Sequence, residues 1–438
     1  MKDESRKLEL NPDEEMDKKI DAKLDENLDG KADLGKNQKA DRKRRYGITI
    51  ISALMVTVIT FGIHYFTHGR ESEKTIKAGF IYVGDSSTGY TNNFVKVQTA
   101  IEKKYDGRVE TIPKFNVPED EIEGALKELV TEGCDLIFTT SYGYGEKTKE
   151  YAELYPEIQF CQATCDNANK EPYLSNYHTF MGSIYQGKYI SGVVAGMKLK
   201  ELIEDGKITA EQAKAGYVGA FPYAEVISGY TAFFLGIRSV VPEAVMTVKY
   251  TNTWDNYHLE KECAKELIDE GCVIISQHSD TAGPAVACEE TDRSQEVYYV
   301  SYNESMSDVA PTTYLGGSKI NWEPYMMQAV EAVLSDKEIE KCVKGNINGR
   351  DVGAGFENDW VQMLDINEFV AADGTKERVE ELIHAFEQNR IKVFQGEYTG
   401  VNPDDPSDVI DLREGYEENT TSSAPTFHYI LQDVITVE

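Results

Sequence analysis

Residues 127–141 read KELVTEGCDLIFTTS and residues 265–279 read KELIDEGCVIISQHS. Eight of the fifteen positions are identical at an offset of 138, and Lys77-Ala78-Gly79-Phe80 returns as Lys214-Ala215-Gly216-Tyr217 at an offset of 137. A glycine helix stop before an apolar strand is a common phrase. Two echoes at nearly one spacing instead point to a duplicated unit, so the chain is limited to two related lobes, each opening at its Lys-Ala-Gly strand. Around the echoes, short β-rich runs alternate with amphipathic stretches, the pattern of an α/β fold with parallel sheets. Strands are expected at 76–84, 108–115, 134–140 and 158–164, and again at 214–221, 244–251, 272–278 and 297–302. Between the second and third lies a helix over 118–132, opened by Pro118, with Ile122, Ala125, Leu126, Leu129 and Val130 on one stripe. The expected fold class is α/β: two Rossmann-like lobes joined by a hinge and preceded by one transmembrane helix.

That helix is Tyr46 to Phe66, YGITIISALMVTVITFGIHYF, which carries no acidic or strongly basic residue and is long enough to cross a hydrocarbon core. Arg42-Lys43-Arg44-Arg45 precedes it and Arg70-Glu71 follows, so the positive-inside bias leaves the N-terminus in the cytoplasm and the lobes outside the cell membrane. Neither a small-residue cleavage site nor a lipoprotein cysteine follows the apolar run. Residues 1–45 lack aromatics and read as disordered. The formal charge of −31 lies entirely beyond residue 75 and argues against nucleic-acid binding. The seven cysteines form no spaced cluster and read as buried free thiols.

In open parallel sheets, ligands bind beyond the carboxyl ends of the strands, and two facing lobes close on a ligand by hinge motion. The strand-end residues here include Tyr90, Tyr142, Tyr144, Asp166, Phe221, Trp254, His278, Asp280 and Asn303. Rings that stack, with carboxylates and amides to meet an edge, suit a flat, uncharged, polar-edged compound. A phosphorylated ligand would call for Arg or Lys, which these ends lack.

The same region resembles the basic membrane protein family of ABC-importer substrate-binding proteins, which have the type I periplasmic-binding fold. The matching phrases are LIFTTSYGYGEKT at 136–148, YQGKYISGVVAGMK at 185–198, GYVGAFPYAEVISGYTAFFLGIRSVVP at 216–242, TNTWDNYHLEKECAKELIDEG at 251–271, SQHSDTAGPA at 276–285 and NWEPYMMQAVEAVL at 321–334. The resemblance implies capture of a purine nucleoside or nucleobase for uptake through a partner permease and ATPase, with no cofactor. It places Tyr90 as a base-stacking aromatic and Asp166 as an acidic ligand contact. Trp254, His278, Asp280, Asn303 and Trp322 match the branch of the family with Trp-Asp, Gln-His-Thr-Asp-Ser and Trp-x-Pro-Tyr-Tyr phrases. With Asn93, Tyr142, Tyr144 and Phe221, these complete the candidate ligand set. The family's lipid-anchoring cysteine is absent.

The expected organisation is a disordered cytoplasmic 1–45, a membrane anchor at 46–66, lobe 1 at 76–180 plus about 304–345, lobe 2 at 181–303 plus about 346–400, and a solvated tail at 401–438. His278 with Asp280 invites a catalytic reading, but GxSxG and paired metal-ligand histidines are both missing, so no catalytic or metal residue is assigned. A receptor signalling through the membrane helix would use the same lobes. A nucleoside hydrolase would want an aspartate cluster by the first strand, where only Asp85 stands.

Overall fold

The computed structural model describes Met55 and residues 74–438. The expected disordered segment 1–45 and, apart from Met55, the anchor 46–66 lie outside the described residues. Among the described residues no helix is long and apolar enough to cross a membrane.

All eight strands expected from the sequence form. In the first lobe the order along the chain is β1 (Ile76–Ile81), α1 (Gly89–Lys104), β2 (Val109–Lys114), α2 (Ile122–Thr131), β3 (Leu136–Thr139), α3 (Gly145–Leu154), β4 (Gln159–Ala163) and β5 (Tyr177–Gly182). These strands lie side by side as β2-β1-β3-β4-β5, all parallel. Every residue of β3 is buried, as a strand covered on both faces by helices must be. On α2 the buried residues are Ile122, Ala125, Leu126 and Leu129, four of the five on the stripe read from the sequence.

The chain then builds the second lobe from α4 (Ile184–Glu204), β6 (Lys214–Gly219), α5 (Ala224–Arg238), β7 (Val245–Tyr250), α6 (Tyr257–Asp269), β8 (Ile274–His278), α7 (Gly283–Glu289), β9 (Tyr298–Tyr302) and β10 (Tyr314–Ile320). Its parallel order, β7-β6-β8-β9-β10, repeats that of the first lobe strand for strand. The echoed phrases fall on β1 and β6 and on the α2–β3 and α6–β8 units, so the sequence repeat is a repeat of topology. Helices α4 and α5 press together at Gly192 and Gly236. A Cβ on either would lie about 2 Å from a backbone oxygen of the other helix, which leaves glycine as the residue that fits.

The lobe boundaries differ from those expected. β10, within the 304–345 stretch read as first lobe, continues the second sheet beside β9, and the chain leaves that sheet only at Asn321, whose N–H donates to Trp360 O (2.8 Å). Helix α8 (Glu323–Leu334) then packs on the first lobe, where Tyr325 stacks on Phe180 with centroids 3.8 Å apart. The stretch read as second lobe from 346 begins in the first sheet: β11 (Asn346–Asn348) pairs with β12 (Asp351–Ala354), which runs parallel to β5. Only β13 (Val361–Met363), antiparallel to β10, returns to the second lobe, followed by α9 (Thr375–Glu387). Three strands of chain thus cross between the lobes, near residues 183, 321 and 355–360.

The expected solvated tail is folded. β14 (Thr399–Val401), β15 (Val409–Asp411) and β16 (Ile430–Leu431) form a small sheet, and β17 (Ile435–Val437) adds a parallel edge strand to β7. Leu412, Phe427 and Leu431 are buried, with Phe427 stacked on Phe394. The segment also grips both lobes. Buried Glu418 accepts from Ser228 Oγ (2.9 Å) on α5, while Ser423 Oγ donates to Asp351 (2.6 Å) on β12. Most of the segment's acids face solvent, whereas Glu418 is buried with its donors supplied and the aromatic and aliphatic residues between the acids form the packing. The seven cysteines are unpaired, five of them buried.

Candidate functional site

The carboxyl ends of the two sheets face each other around a narrow, partly open cleft. The first lobe contributes Val83 after β1, Tyr90 on α1, Ser141 and Tyr142 after β3, and Thr164 after β4. The second contributes Glu225 in the first turn of α5, Trp254 after β7, His278 and Asp280 at the end of β8, and Tyr302 at the end of β9. Of the expected ligand residues, Tyr90, Tyr142, Trp254, His278 and Asp280 are therefore brought together on one wall or the other.

The aromatic side is a layered stack. Tyr90 meets Phe94 (5.2 Å) and Trp322 (6.2 Å) edge-on, and its hydroxyl donates to Thr140 O. Trp322, 1 % exposed, lies flat on Phe94 at 4.5 Å, so it backs the Tyr90 ring from behind. Phe221 likewise backs the wall, stacked on Tyr223 (5.1 Å) and edge-on to Trp254 (5.5 Å). At the mouth, half-exposed Tyr142 and Tyr223 face each other across the cleft at 5.6 Å.

The polar side comes from the second lobe. His278 Nε2 lies 3.4 Å from Glu225 Oε1, and its ring packs on Tyr302 (4.5 Å). Burial holds its pKa below the usual range, opposed by the Glu225 carboxylate beside it and aided by the amine of Lys188, which favours the neutral imidazole. Asp280 is pushed well above the usual carboxylate range, by burial first and then by the charges of Glu260, Asp255 and Glu225, with Asn303 pulling the other way. Asn303, 2 % exposed and held in the left-handed region (φ 67°), has neither amide atom in a hydrogen bond of ordinary geometry. Tyr302 Oη and His278 Nδ1 are also buried without a protein partner. Unpaired buried polar atoms are costly, and their gathering beside one space makes donors and acceptors available there.

Two candidates stand elsewhere. Tyr144 is fully buried, its hydroxyl donating to Val117 O, and belongs to the first-lobe core. Asp166 forms an ion pair with Lys170 (2.9 Å) outside the cavity wall. The chain turns two residues earlier, where Thr164 adopts φ 66°, so Thr164 is the residue after β4 that reaches the cavity. Asn93 lies under the wall and donates to Asn303 O (3.0 Å). With Asn92 to Glu304 (2.9 Å) and Lys96 to Glu304 (3.4 Å), it ties α1 to the end of β9, and the cleft is closed.

The sequence reading missed Thr164, Glu225, Tyr302 and Lys188. Glu225 and Tyr302 carried a positional signal, being the first turn after β6 and the last residue of an expected strand. Lys188 is the cation in the otherwise largely apolar first half of α4. It is buried, donates to Gln277 O (2.8 Å) and faces the Tyr302 ring at 3.7 Å. Burial drives its amine well below the usual range, against the pull of Glu225 and Asp280. Among the described residues there is no cluster of side chains that could hold a metal ion.

Residues 77–386 match the family model described as ABC transporter substrate-binding protein PnrA-like. A purine-binding protein of Brucella abortus is 29 % identical over 346 residues, which is 78 % of this chain and 89 % of that protein. A putative ABC transporter glucose-binding protein of Haloferax volcanii is also 29 % identical, over 60 % of this chain and 63 % of its own length. An ABC transporter solute-binding protein of Aeropyrum pernix has the same fold, with a TM-score of 0.59 at 15 % identity, covering 76 % of this chain and 95 % of that one.

Proposed function

The chain belongs to the PnrA-like family of ABC transporter substrate-binding proteins, and from that premise we propose that its cavity captures a purine nucleoside or nucleobase. The observation that carries this reading is the pairing of aromatic faces (Tyr90, Tyr142, Trp254) with an edge of carboxyl and unpaired polar groups (Asp280, His278, Tyr302) in one cleft. Purine rings offer two faces to stack and a rim of N–H and N acceptors to pair. No Lys or Arg lines the space, which suits an uncharged ligand over a nucleotide. The free space left between the lobes in this closed form is about 20 Å³, room for a water molecule, so a purine enters when the lobes part. The purine-binding Brucella relative agrees with this choice.

Capture is by closure. Ligand bound between the lobes stabilises a closed arrangement around it, and that form is the one presented to the permease. We place the lobes on the extracytoplasmic face, held by residues 46–66, with a permease and ATPase as partners.

The test is thermal shift and calorimetry of residues 72–438 against adenine, adenosine, guanosine, inosine and a panel of hexoses. A ligand that binds only the folded state raises Tm by mass action. A rise with purines supports the reading. A rise with hexoses alone, in line with the Haloferax relative, overturns it.

A further inference from the structure

The loop that carries the polar side of the cavity is held from behind by a carboxylate outside the cavity wall. Glu260, in the first turn of α6, is fully buried. Its Oε2 accepts from Ser279 Oγ (2.8 Å), Thr281 N (3.1 Å) and, at the long limit, Gln277 Nε2 (3.4 Å). Its Oε1 is buried without a partner. These contacts fall on alternate residues of the loop after β8, and the residues between them, His278 and Asp280, line the cavity.

The first lobe uses the same device at the matching place. Glu119, ahead of α2, accepts through Oε1 from Ser141 Oγ (2.5 Å) and Gly143 N (2.9 Å), in the loop after β3. A Cβ at Gly143 would lie 2.4 Å from the Glu119 carboxylate, so this loop is built around the acid. Ser141 and Ser279 are equivalent in the repeat, each with a backbone N–H two residues on bonded to the same carboxylate. The device therefore recurs in two loops whose other residues differ, as a holder independent of what each loop presents. The two holders differ in that Glu119 is partly exposed and Glu260 is not.

We propose that Glu260 is the positioning residue of the ligand loop: its carboxylate fixes residues 277–281 so that His278 and Asp280 face the captured compound. The groups that face Glu260 are Asp255 before α6, Asp280 in the loop, Tyr299 on β9 and Cys263 on its own helix, none of them cationic. Burial first, opposed by its Ser279 and Thr281 bonds, pushes the Glu260 carboxyl up to about 7. The holder thus changes charge near neutrality, and the loop with it.

The proposal rests on the cavity being the ligand site, and the experiment separates the two. Adenosine affinity is measured for wild type, Glu260→Ala and Glu260→Gln across pH 6–8, beside hydrogen exchange at the Thr281 amide without ligand. Glu260→Ala should weaken capture at least tenfold and lose Thr281 protection. Glu260→Gln, which keeps an accepting oxygen, should stay within about threefold and show a flatter pH profile than wild type. Wild-type affinity in Glu260→Ala, or an equal loss in Glu260→Gln, overturns the proposal. Should wild type bind no purine, the purine reading fails, and unchanged Thr281 exchange in Glu260→Ala would still overturn the positioning role. If Glu260→Ala does not fold, Ser279→Ala removes one donor; severalfold weaker capture is expected, and no change overturns the idea.

Discussion

The two lobes share a strand order and a repeated phrase, yet they divide the cavity's chemistry between them. The first lobe brings Val83, Tyr90, Ser141, Tyr142 and Thr164: rings, methyls and hydroxyls. The second brings Glu225, His278 and Asp280 along with Trp254 and Tyr302. The divergence is sharpest in the loops after β3 and β8, TTSYG and QHSDT at an offset of 138. The serine common to both loops is bonded to a glutamate in each lobe. The residues flanking it have become Thr140 and Tyr142 on one side, His278 and Asp280 on the other. A duplicated scaffold has thus kept the position that shapes the loop and changed the positions that face the ligand.

On this division, removing the polar side should cost more than removing the stacking side. Asp280→Ala deletes the carboxyl at the ligand's edge and is expected to weaken purine capture about 100-fold, roughly 3 kcal/mol, as for a hot-spot polar contact. Calorimetry gives the number directly, and a loss under threefold would break the comparison. Tyr90→Ala should cost less, about tenfold, in the range of ~1–3 kcal/mol for a base stacked on an aromatic ring. A sharper form of the test is Tyr90→Phe, whose stacking face is intact. It should bind within about threefold, because the hydroxyl it lacks is committed to Thr140 O and not to the cavity.

The same division explains what could be read from the sequence. Eight strands were legible because buried parallel strands are continuous apolar runs, and the lobes because the repeat survived in KEL-EGC. Strands β5 and β10 were not read: β5 carries His178 and Thr179, and β10 is interrupted by Gly316-Gly317, so neither is a plain apolar run. The crossings near 321 and 355–360 depend on long-range pairings such as Asn321 N to Trp360 O, which no local pattern announces. Cavity residues at strand ends were legible where the turn is short, as for Tyr142 and Asp280. Asp166 was over-read because a single left-handed residue, Thr164, rotates the chain before it. The C-terminal segment was misjudged because its exposed acids mask Leu412, Phe427 and Leu431, which are buried, and Glu418, which is buried with hydroxyl and amide donors around it.

The smallest expected effect concerns stability, and it distinguishes the lobes without any ligand. A carboxyl whose folded pKa is raised from 4.5 to about 7, as at Glu260, binds its proton more tightly in the folded state. Its stabilising contribution is complete below pH 4.5 and is lost as pH rises toward 7 and above. His278 acts with the opposite sign: its pKa is depressed by burial, so stability falls as pH drops below the ordinary histidine range. Glu260→Gln removes the first effect and leaves the second. Relative to wild type, the variant should therefore gain stability between pH 5 and pH 8 by about 1 kcal/mol, the change being shared with the coupled Asp280 carboxyl. Across a domain of this size that is a shift in Tm of about 1 °C, read by scanning both proteins at the two pH values. Glu119→Gln, in the partly exposed holder of the first lobe, should change Tm less, because water replaces the donors of a partly exposed carboxylate. An equal shift from both variants would mean that the two holders are alike, and that charge is not what sets the second lobe apart.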